Sequence, residues 1–183
     1  MDIENDFLTI LILPKNPFPE KSRWGSKELQ DFWHSCAKAA MILDENQNPE
    51  SKILLITNFQ TNEGNEADYF SEILIDLDVD YNKIKVIREG VETLEQLLTA
   101  KYLVENDGSK LLIVCTFLHF LRVRWICWME EIEARFKVAF GLPEPKNAVM
   151  NIILTAVYPI LDLLGCSGWF QNLVIKRREK GKI

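Results

Sequence analysis

The sequence predicts an α/β domain in three layers, a mostly parallel sheet of four or five strands with helices on both faces. Short runs that are apolar at every position alternate with longer segments whose apolar residues recur every three or four positions. Continuous apolar runs are typical of strands buried on both faces, and the 3.6-residue period is typical of helices. Four such units in succession favour a parallel sheet, and 183 residues suit a single domain over residues 1–183.

The first half of the chain supplies three strands and two helices. Residues 7–13 form an apolar run ended by Pro14, and a loop with three prolines follows as far as Gly25. Apolar side chains from Leu29 to Met41 then recur at the spacing of one helix face. After them we expect a strand at 53–56, a polar loop at 57–64, a helix at 67–77 and a short strand at 84–87.

The second half continues the alternation. A helix is expected at 93–106, a turn at 106–109 and a strand at 111–114. A long helix is predicted from about His119 to Phe140, because Trp125, Trp128 and Phe136 recur at helical spacing and are expected in the core. A second C-terminal helix begins near Asn147, and residues 170–176 are a candidate last strand.

Composition and charge exclude several classes of function. The net charge of −6 argues against a general nucleic-acid binder, and the basic residues at 176–182 are expected to form a solvated tail. The acidic N-terminus lacks the features of a signal peptide, and the apolar stretch at 149–164 falls short of the roughly 20 residues that span a bilayer. We therefore expect a cytoplasmic protein with no membrane span and no nucleic-acid partner.

The cysteines do not indicate a metal site. Cys36, Cys115, Cys127 and Cys166 include no CxxC pair, and their spacing matches no zinc pattern. His34 and Cys36 alone cannot complete a metal site. In a reducing compartment we expect four free thiols that pack as small apolar groups.

A candidate site follows from the predicted fold, because the strand-to-helix loops of a parallel sheet share one edge. The fourth loop carries Thr116, His119 and Arg122. His119 could act as a general acid/base or donate to an anion, and Arg122 could hold a carboxylate or phosphate. The alternative is that His119 caps the helix and Arg122 pairs with a surface acid.

The second and third loops add polar side chains with competing structural roles. Asn58 and Glu66 follow the second strand, and Glu66 opens a helix, where a carboxylate is favoured by the helix dipole. Thr93 and Gln96 are predicted to form a capping box, so Thr93 is a cap, a ligand contact or both. Glu92 pairs with a nearby arginine, is solvated or lines the site. Cys115 is a conceivable nucleophile if His119 lowers its pKa.

Three motifs in register carry a family resemblance. Residues 114–123, Val-Cys-Thr-Phe-Leu-His-Phe-Leu-Arg-Val, are similar to a Val-Thr-Ser-x-x-His-x-x-Arg-Ala pattern. Residues 92–96, Glu-Thr-Leu-Glu-Gln, are similar to Asn-Thr-x-Glu-Asn, and residues 65–67, Asn-Glu-Ala, to Ser-Glu-Ala. These patterns are typical of the bacterial SanA, ElyC and YdcF proteins, a domain family of unknown function. The likeness covers most of the chain, and the lack of an N-terminal membrane segment resembles the YdcF type.

The resemblance implies a Rossmann-like fold, a role linked to cell-envelope metabolism or small-molecule binding, and S-adenosylmethionine as a candidate ligand. Under it, His119 is catalytic or donates to the ligand, and the ligand-binding residues are Asn58, Glu66, Glu92, Thr93, Thr116 and Arg122. The chain departs from the family where Leu13-Pro14-Lys15 replaces Gly-Gly and Thr57-Asn58-Phe59 replaces Ser-Gly-Gly. Glycine there lets a backbone approach a ligand closely.

Two other functions remain open from the sequence. The missing glycines favour a member that has lost catalysis and serves as an interaction or scaffold protein, with an exposed apolar patch around Trp24 or Trp169. The other is a hydrolase or transferase that uses Cys115 or a water activated by His119.

Overall fold

Strands and helices alternate along the chain in the computed structural model, which describes residues 5–13, 31–58, 60–61, 64–90, 92–141 and 145–166. A short 3₁₀ helix at Tyr81–Lys83 precedes the fifth strand. The elements are β1 (Leu8–Ile12), α1 (Asp31–Glu45), β2 (Lys52–Ile56), β3 (Gln60–Thr61), β4 (Gly64–Asn65), α2 (Glu66–Asp76), β5 (Ile84–Ile87), α3 (Thr93–Asp107), β6 (Lys110–Thr116), α4 (Phe117–Met129), β7 (Arg135–Ala139) and α5 (Pro145–Leu163).

The central sheet has five strands in the order β5-β2-β1-β6-β7, and every pairing is parallel. The first strand, β1, lies at the centre of the sheet. The chain adds β2 and β5 on one side of it and then β6 and β7 on the other. This is a Rossmann-like α/β topology, and it confirms the predicted fold class. Strand order reverses between β1 and β6, so the carboxyl ends of these two strands flank the crevice where such folds bind ligands.

Both faces of the sheet are covered by helices. Along β1, Leu8, Ile10 and Ile12 face a core built with α1 and α2, whereas Leu11 faces a second core built with α3 and α4. All five residues of β1 are buried. Because successive side chains of a strand point to opposite faces, a strand covered on both sides must be apolar at nearly every position, as residues 7–13 are. Each fully buried Leu or Ile contributes about 1.5–3 kcal/mol through removal from water.

The long helix predicted from His119 to Phe140 is wrong. Helix α4 ends at Met129, Glu131 takes a positive φ of 52°, and residues 135–139 form the edge strand β7. A helix from 119 to 140 would be about 33 Å long, whereas the seven residues of β6 span about 23 Å, so the chain must turn back earlier. Phe136 accordingly lies on a strand, and Trp128, expected in the core, is 69% exposed.

The remaining predicted elements agree with the structure, with small shifts at their ends. Strand 84–87 is confirmed as predicted, and β2 and β6 extend the predicted strands by a few residues. The polar loop at 57–64 contains the strands β3 and β4, which pair as a short antiparallel hairpin. None of the described helices combines the length and apolar character needed to cross a membrane. The loop at 14–25, the candidate strand at 170–176, the basic cluster, Trp24 and Trp169 lie outside the described residues.

Candidate functional site

The charged groups buried in the described part of the chain gather at the carboxyl edge of the sheet. The acidic and basic side chains that are buried there are Glu66, Glu92, His119 and Arg122, each less than one-tenth exposed. They stand at the first turns of α2, α3 and α4 or directly before them. Burying charge costs free energy unless it is compensated, so its concentration at one edge points to a functional site.

Helix α4 presents three of the predicted site residues along one face. It begins directly after β6, with Thr116 as its N-cap residue in extended conformation. Thr116, His119 and Arg122 follow one another at three-residue intervals, which places them on the same side of the helix. All three are buried, with 8%, 5% and 8% exposure respectively. This face therefore lies beside the strand-order reversal at the end of β6.

His119, Arg122 and Thr93 form one hydrogen-bonded cluster. Nη2 of Arg122 lies 3.0 Å from Nδ1 of His119 and donates to Oγ1 of Thr93 at 3.1 Å. Oγ1 of Thr93 is also 3.4 Å from Nε2 of His119. Nη2 of Arg122 is also 3.5 Å from Nε2 of His119. A guanidinium can only donate, so a ring nitrogen of His119 accepts, and Nδ1 is the nearer of the two. The structure thus brings the third and fourth loops together.

Thr93 is free for this contact because it is not the helix cap. The predicted capping box of Thr93 and Gln96 is displaced by one residue: Glu92 is the N-cap and Glu95 the N3 residue. The backbone N–H of Glu92 donates to Oε2 of Glu95 at 3.3 Å. The Thr93 hydroxyl therefore does not cap α3 and instead contacts His119 and Arg122 of α4.

Glu66 belongs to a second polar group on the other side of the edge. Its Oε2 accepts a hydrogen bond of 2.8 Å from the buried hydroxyl of Thr57. Glu66 does not cap its helix, since Asn65 is the N-cap and its Oδ1 accepts from the backbone of Ala67 at 2.8 Å. Thr57, at the end of β2, was named among the loop residues but not among the predicted ligand contacts.

The second and third loops are joined through their backbones. The N–H of Thr57 donates to the carbonyl of Ile87 at 3.0 Å, and the N–H of Asn58 donates to the carbonyl of Gly90 at 2.9 Å. Gly90 has a φ of +66°, and a Cβ there would come within 3.1 Å of the Glu95 side chain. Gly90 thus permits the tight turn between β5 and α3. The side chain of Asn58 is exposed.

Two buried polar atoms at this edge have no hydrogen-bond partner among the described residues. They are Oγ1 of Thr116 and Nδ2 of Asn65. A buried hydroxyl or amide without a partner costs about 1–3 kcal/mol, so each is a natural contact point for a ligand. Asn65 was missing from the predicted ligand contacts, although its place before the helix in the Asn-Glu-Ala motif was a usable signal.

Cys115 is not a nucleophile of this site. It is fully buried in the core beneath α3 and α4, and burial raises the pKa of its thiol to about 12. The thiol therefore stays protonated at neutral pH, and the idea that His119 activates it is wrong. Within the described ranges, no group of three or more His, Cys, Asp or Glu side chains is placed to hold a metal ion.

A separate groove of about 760 Å³ lies at the opposite, amino edge, lined by the end of α3 and the starts of β6 and β7. Its basic groups are already engaged. Asp6 bonds Lys110 at 2.6 Å and Arg135 at 2.8 Å, and Lys101 donates to the carbonyl of Glu130 at 3.0 Å. The groove contains none of the predicted site residues.

Comparisons with known proteins identify no family. No protein-family profile matches the chain, and no curated protein matches it. A solved structure of glucose-6-phosphate 1-dehydrogenase from Mycobacterium avium superposes with a TM-score of 0.37 and 10% sequence identity. The superposition covers 81% of this chain and 34% of the dehydrogenase.

Proposed function

We propose that this chain is a YdcF-like protein that binds a small anionic, nucleotide-like ligand at the carboxyl edge of its sheet. The observation that carries the proposal is the buried cluster of Thr93, His119 and Arg122 beside the unpartnered hydroxyl of Thr116. A role linked to cell-envelope metabolism comes from the motif resemblance alone.

The α4 side of the site supports binding of an anionic group. Arg122 supplies a permanent positive charge and several donors in a fixed plane, which suits a carboxylate or phosphate. The N-terminus of α4 adds partial positive charge and backbone N–H groups. Thr116 Oγ1, which has no partner among the described residues, can donate to the same anion. These groups lie on one turn and a half of one helix.

The α2 side supports a ligand that also carries hydroxyl or ammonium donors. The Glu66 carboxylate is 4% exposed, accepts from Thr57 and can accept hydrogen bonds only from donors. S-Adenosylmethionine carries a carboxylate, an ammonium and ribose hydroxyls, so the donor set fits it: Arg122 and Thr116 for the carboxylate, Glu66 for a hydroxyl or the ammonium. When bound, it would supply a transferable methyl group.

His119 is suited to hold and orient the ligand. Its ring nitrogens lie within hydrogen-bonding distance of Arg122 and Thr93, and a protonated ring nitrogen can donate to an anion. The same nitrogen could exchange a proton with a substrate, which would make His119 the general acid or base of a hydrolase or transferase.

The test is calorimetric titration of the purified protein with inorganic phosphate, AMP, a sugar phosphate and S-adenosylmethionine. We expect at least one of them to bind, and Arg122→Met and Thr116→Val each to weaken it about tenfold or more. Arg88→Met is the matched control, because Arg88 is exposed and paired with Asp68 at 2.5 Å. No binding by any probe, or equal losses in Arg88→Met and Arg122→Met, would contradict the proposal.

We also propose a cytoplasmic location. The four cysteines, all within the described residues, form no disulfide, and three of them are buried. Free thiols are typical of reducing compartments.

A second candidate function is that of an interaction protein. The patch expected around Trp24 or Trp169 lies outside the described residues, but a different exposed apolar surface is present on α4 and α5. This surface favours a protein partner independently of any ligand at the sheet edge.

A further inference from the structure

The outer side of α5 is an apolar stripe. Val149, Ile152, Ile153, Ile160 and Leu163 are between 49% and 74% exposed, and they recur at three-, four- and seven-residue intervals. The opposite side of the helix carries Tyr158, which is buried against the sheet core. Among the described residues of α5, no charged side chain falls on the exposed stripe. An amphipathic helix normally shows polar residues on this side.

Helix α4 runs parallel to α5 and adds a second apolar stripe. Thr155 donates to the carbonyl of Leu118 at 3.3 Å, and Trp125 Nε1 donates to Asp162 at 3.0 Å. Both contacts advance by seven residues on each helix, so the two helices point the same way. On α4, Phe117, Leu121 and Trp128 are 59%, 61% and 69% exposed, on the side opposite the buried Val123 and Ile126.

The two stripes form one surface, because each lies opposite the sheet-facing side of its helix and the helices pack side by side. We call it the α4–α5 face, made of Phe117, Leu121, Trp128, Ile152, Ile160 and Leu163. These six side chains are 57–74% exposed, and a fully exposed aromatic side chain presents about 150–250 Å², so together with the exposed Val149 and Ile153 the face exposes on the order of 1,000 Å². The largest apolar patch of a typical monomer is about 300–600 Å².

We propose that the α4–α5 face is the interface between two copies of this chain. A standard stable interface buries about 800 Å² per partner, which the face supplies. A twofold interface places one patch against the same patch, so it must be complementary to itself. A predominantly apolar face meets this condition, and the one charged side chain along its α4 stripe is Arg124, three residues after Leu121 and four before Trp128. Ala156, exposed in the middle of the α5 stripe, allows the two backbones to approach closely.

Charge argues against an anionic membrane as the occupant. Interfacial helices that bind such membranes carry Lys and Arg on their polar borders. Arg124 is the exposed basic residue of α4, the exposed Glu131 and Glu133 follow this helix, and the chain has a net charge of −6.

The test is sedimentation velocity and light scattering on the complete chain over a wide concentration range. We expect a species of twice 21.3 kDa in the wild type. Leu121→Glu and Ile160→Glu should each weaken the dimer about tenfold or more, because an unpaired charge would be buried in the interface. Ile75→Glu is the matched control, since Ile75 is 47% exposed on α2, which covers the other side of the sheet, and should leave the dimer intact.

Circular dichroism confirms that each variant is folded. If a glutamate variant fails to fold, Ala156→Cys in a Cys166→Ser background replaces it, and a disulfide-linked dimer under mild oxidation is the expected product. A wild type that stays monomeric, dimers that persist in both glutamate variants, or monomers that bind phosphatidylglycerol vesicles through this face would each overturn the proposal. None of these outcomes depends on a ligand at the carboxyl edge.

Discussion

Nη2 of Arg122 lies 3.0 Å from Nδ1 of His119 and 3.5 Å from Nε2 of the same ring. Because the guanidinium only donates and Nδ1 is nearer, we expect Nδ1 to accept and the neutral imidazole to be the Nε2–H tautomer. Long-range ¹H–¹⁵N NMR spectra should show this tautomer for His119 at neutral pH. The chain has two histidines, so a His34→Gln variant assigns the signals. Arg122→Met should reduce the preference of His119 for the Nε2–H tautomer. An Nδ1–H ring in the wild type would contradict the cluster geometry.

Two buried threonines, Thr57 directly after β2 and Thr116 at the end of β6, should differ in their contribution to stability. Thr57 donates to Glu66 at 2.8 Å, whereas the Thr116 hydroxyl has no partner among the described residues. Thr57→Val should lower the free energy of unfolding by about 1–3 kcal/mol, since it removes a hydrogen bond to a buried carboxylate. Thr116→Val should not lower it and should raise it by up to about 1–3 kcal/mol, since it removes a buried hydroxyl that has no partner among the described residues. Urea unfolding compares the two, and equal losses would show that Thr116 has a structural partner.

The native protein should react with a thiol reagent at one cysteine. Cys166 is exposed, while Cys36, Cys115 and Cys127 are buried. Burial raises the pKa of both Cys115 and Cys127 to about 12, so neither offers a thiolate at mildly alkaline pH. Mass spectrometry after labelling at pH 8 should find Cys166 modified, and unfolding in urea should expose the other three. Rapid native modification of Cys115 would restore it as a candidate nucleophile.

Asp6 should stabilise the fold at neutral pH but not in strong acid. Hydrogen bonds from Lys110 and Arg135 hold its pKa below the ordinary value of 3.8, against the opposing effect of burial. A depressed folded-state pKa means that the stabilisation is present above pH 3.8 and is lost as pH falls through the folded-state value. Asp6→Asn should therefore lower Tm at neutral pH, and the difference should vanish in strong acid.

The control for Asp6 is Glu72→Gln, because Glu72 is exposed on α2. Its Tm should follow the wild type across the pH range. A difference between Asp6→Asn and wild type that persists unchanged in strong acid would show that the carboxylate charge is not the source of the stabilisation.

The sheet was predictable because its strands are buried on both sides. The apolar runs at β1, β2 and β6 have no competing interpretation once the helices between them are recognised. Strand β7 was missed because it is a half-exposed edge strand, Arg135-Phe136-Lys137-Val138-Ala139, whose apolar residues continue the spacing of the preceding helix. Its alternation of basic and apolar residues was the available signal.

The position of the site was predictable, but its internal pairings were not. Parallel topology alone brings Glu66, Thr93 and His119 to one edge. Local capping preferences favour Thr93 over Glu92 as the N-cap, yet contacts with His119 and Arg122, distant in sequence, favour the displaced cap. Such contacts depend on how far apart α3 and α4 sit, which the sequence pattern does not specify.

The backbone bonds from Thr57 to Ile87 and from Asn58 to Gly90 extend the β2–β5 pairing beyond the strands. They connect the segment that carries Thr57, the partner of Glu66, to the segment that leads into Thr93, the partner of Arg122. We therefore expect a displacement of Thr93 to reach the environment of Glu66 through the main chain. Under the proposed function, a ligand group held near Thr93 would then change the affinity for a group held near Glu66, and the effect would be reciprocal.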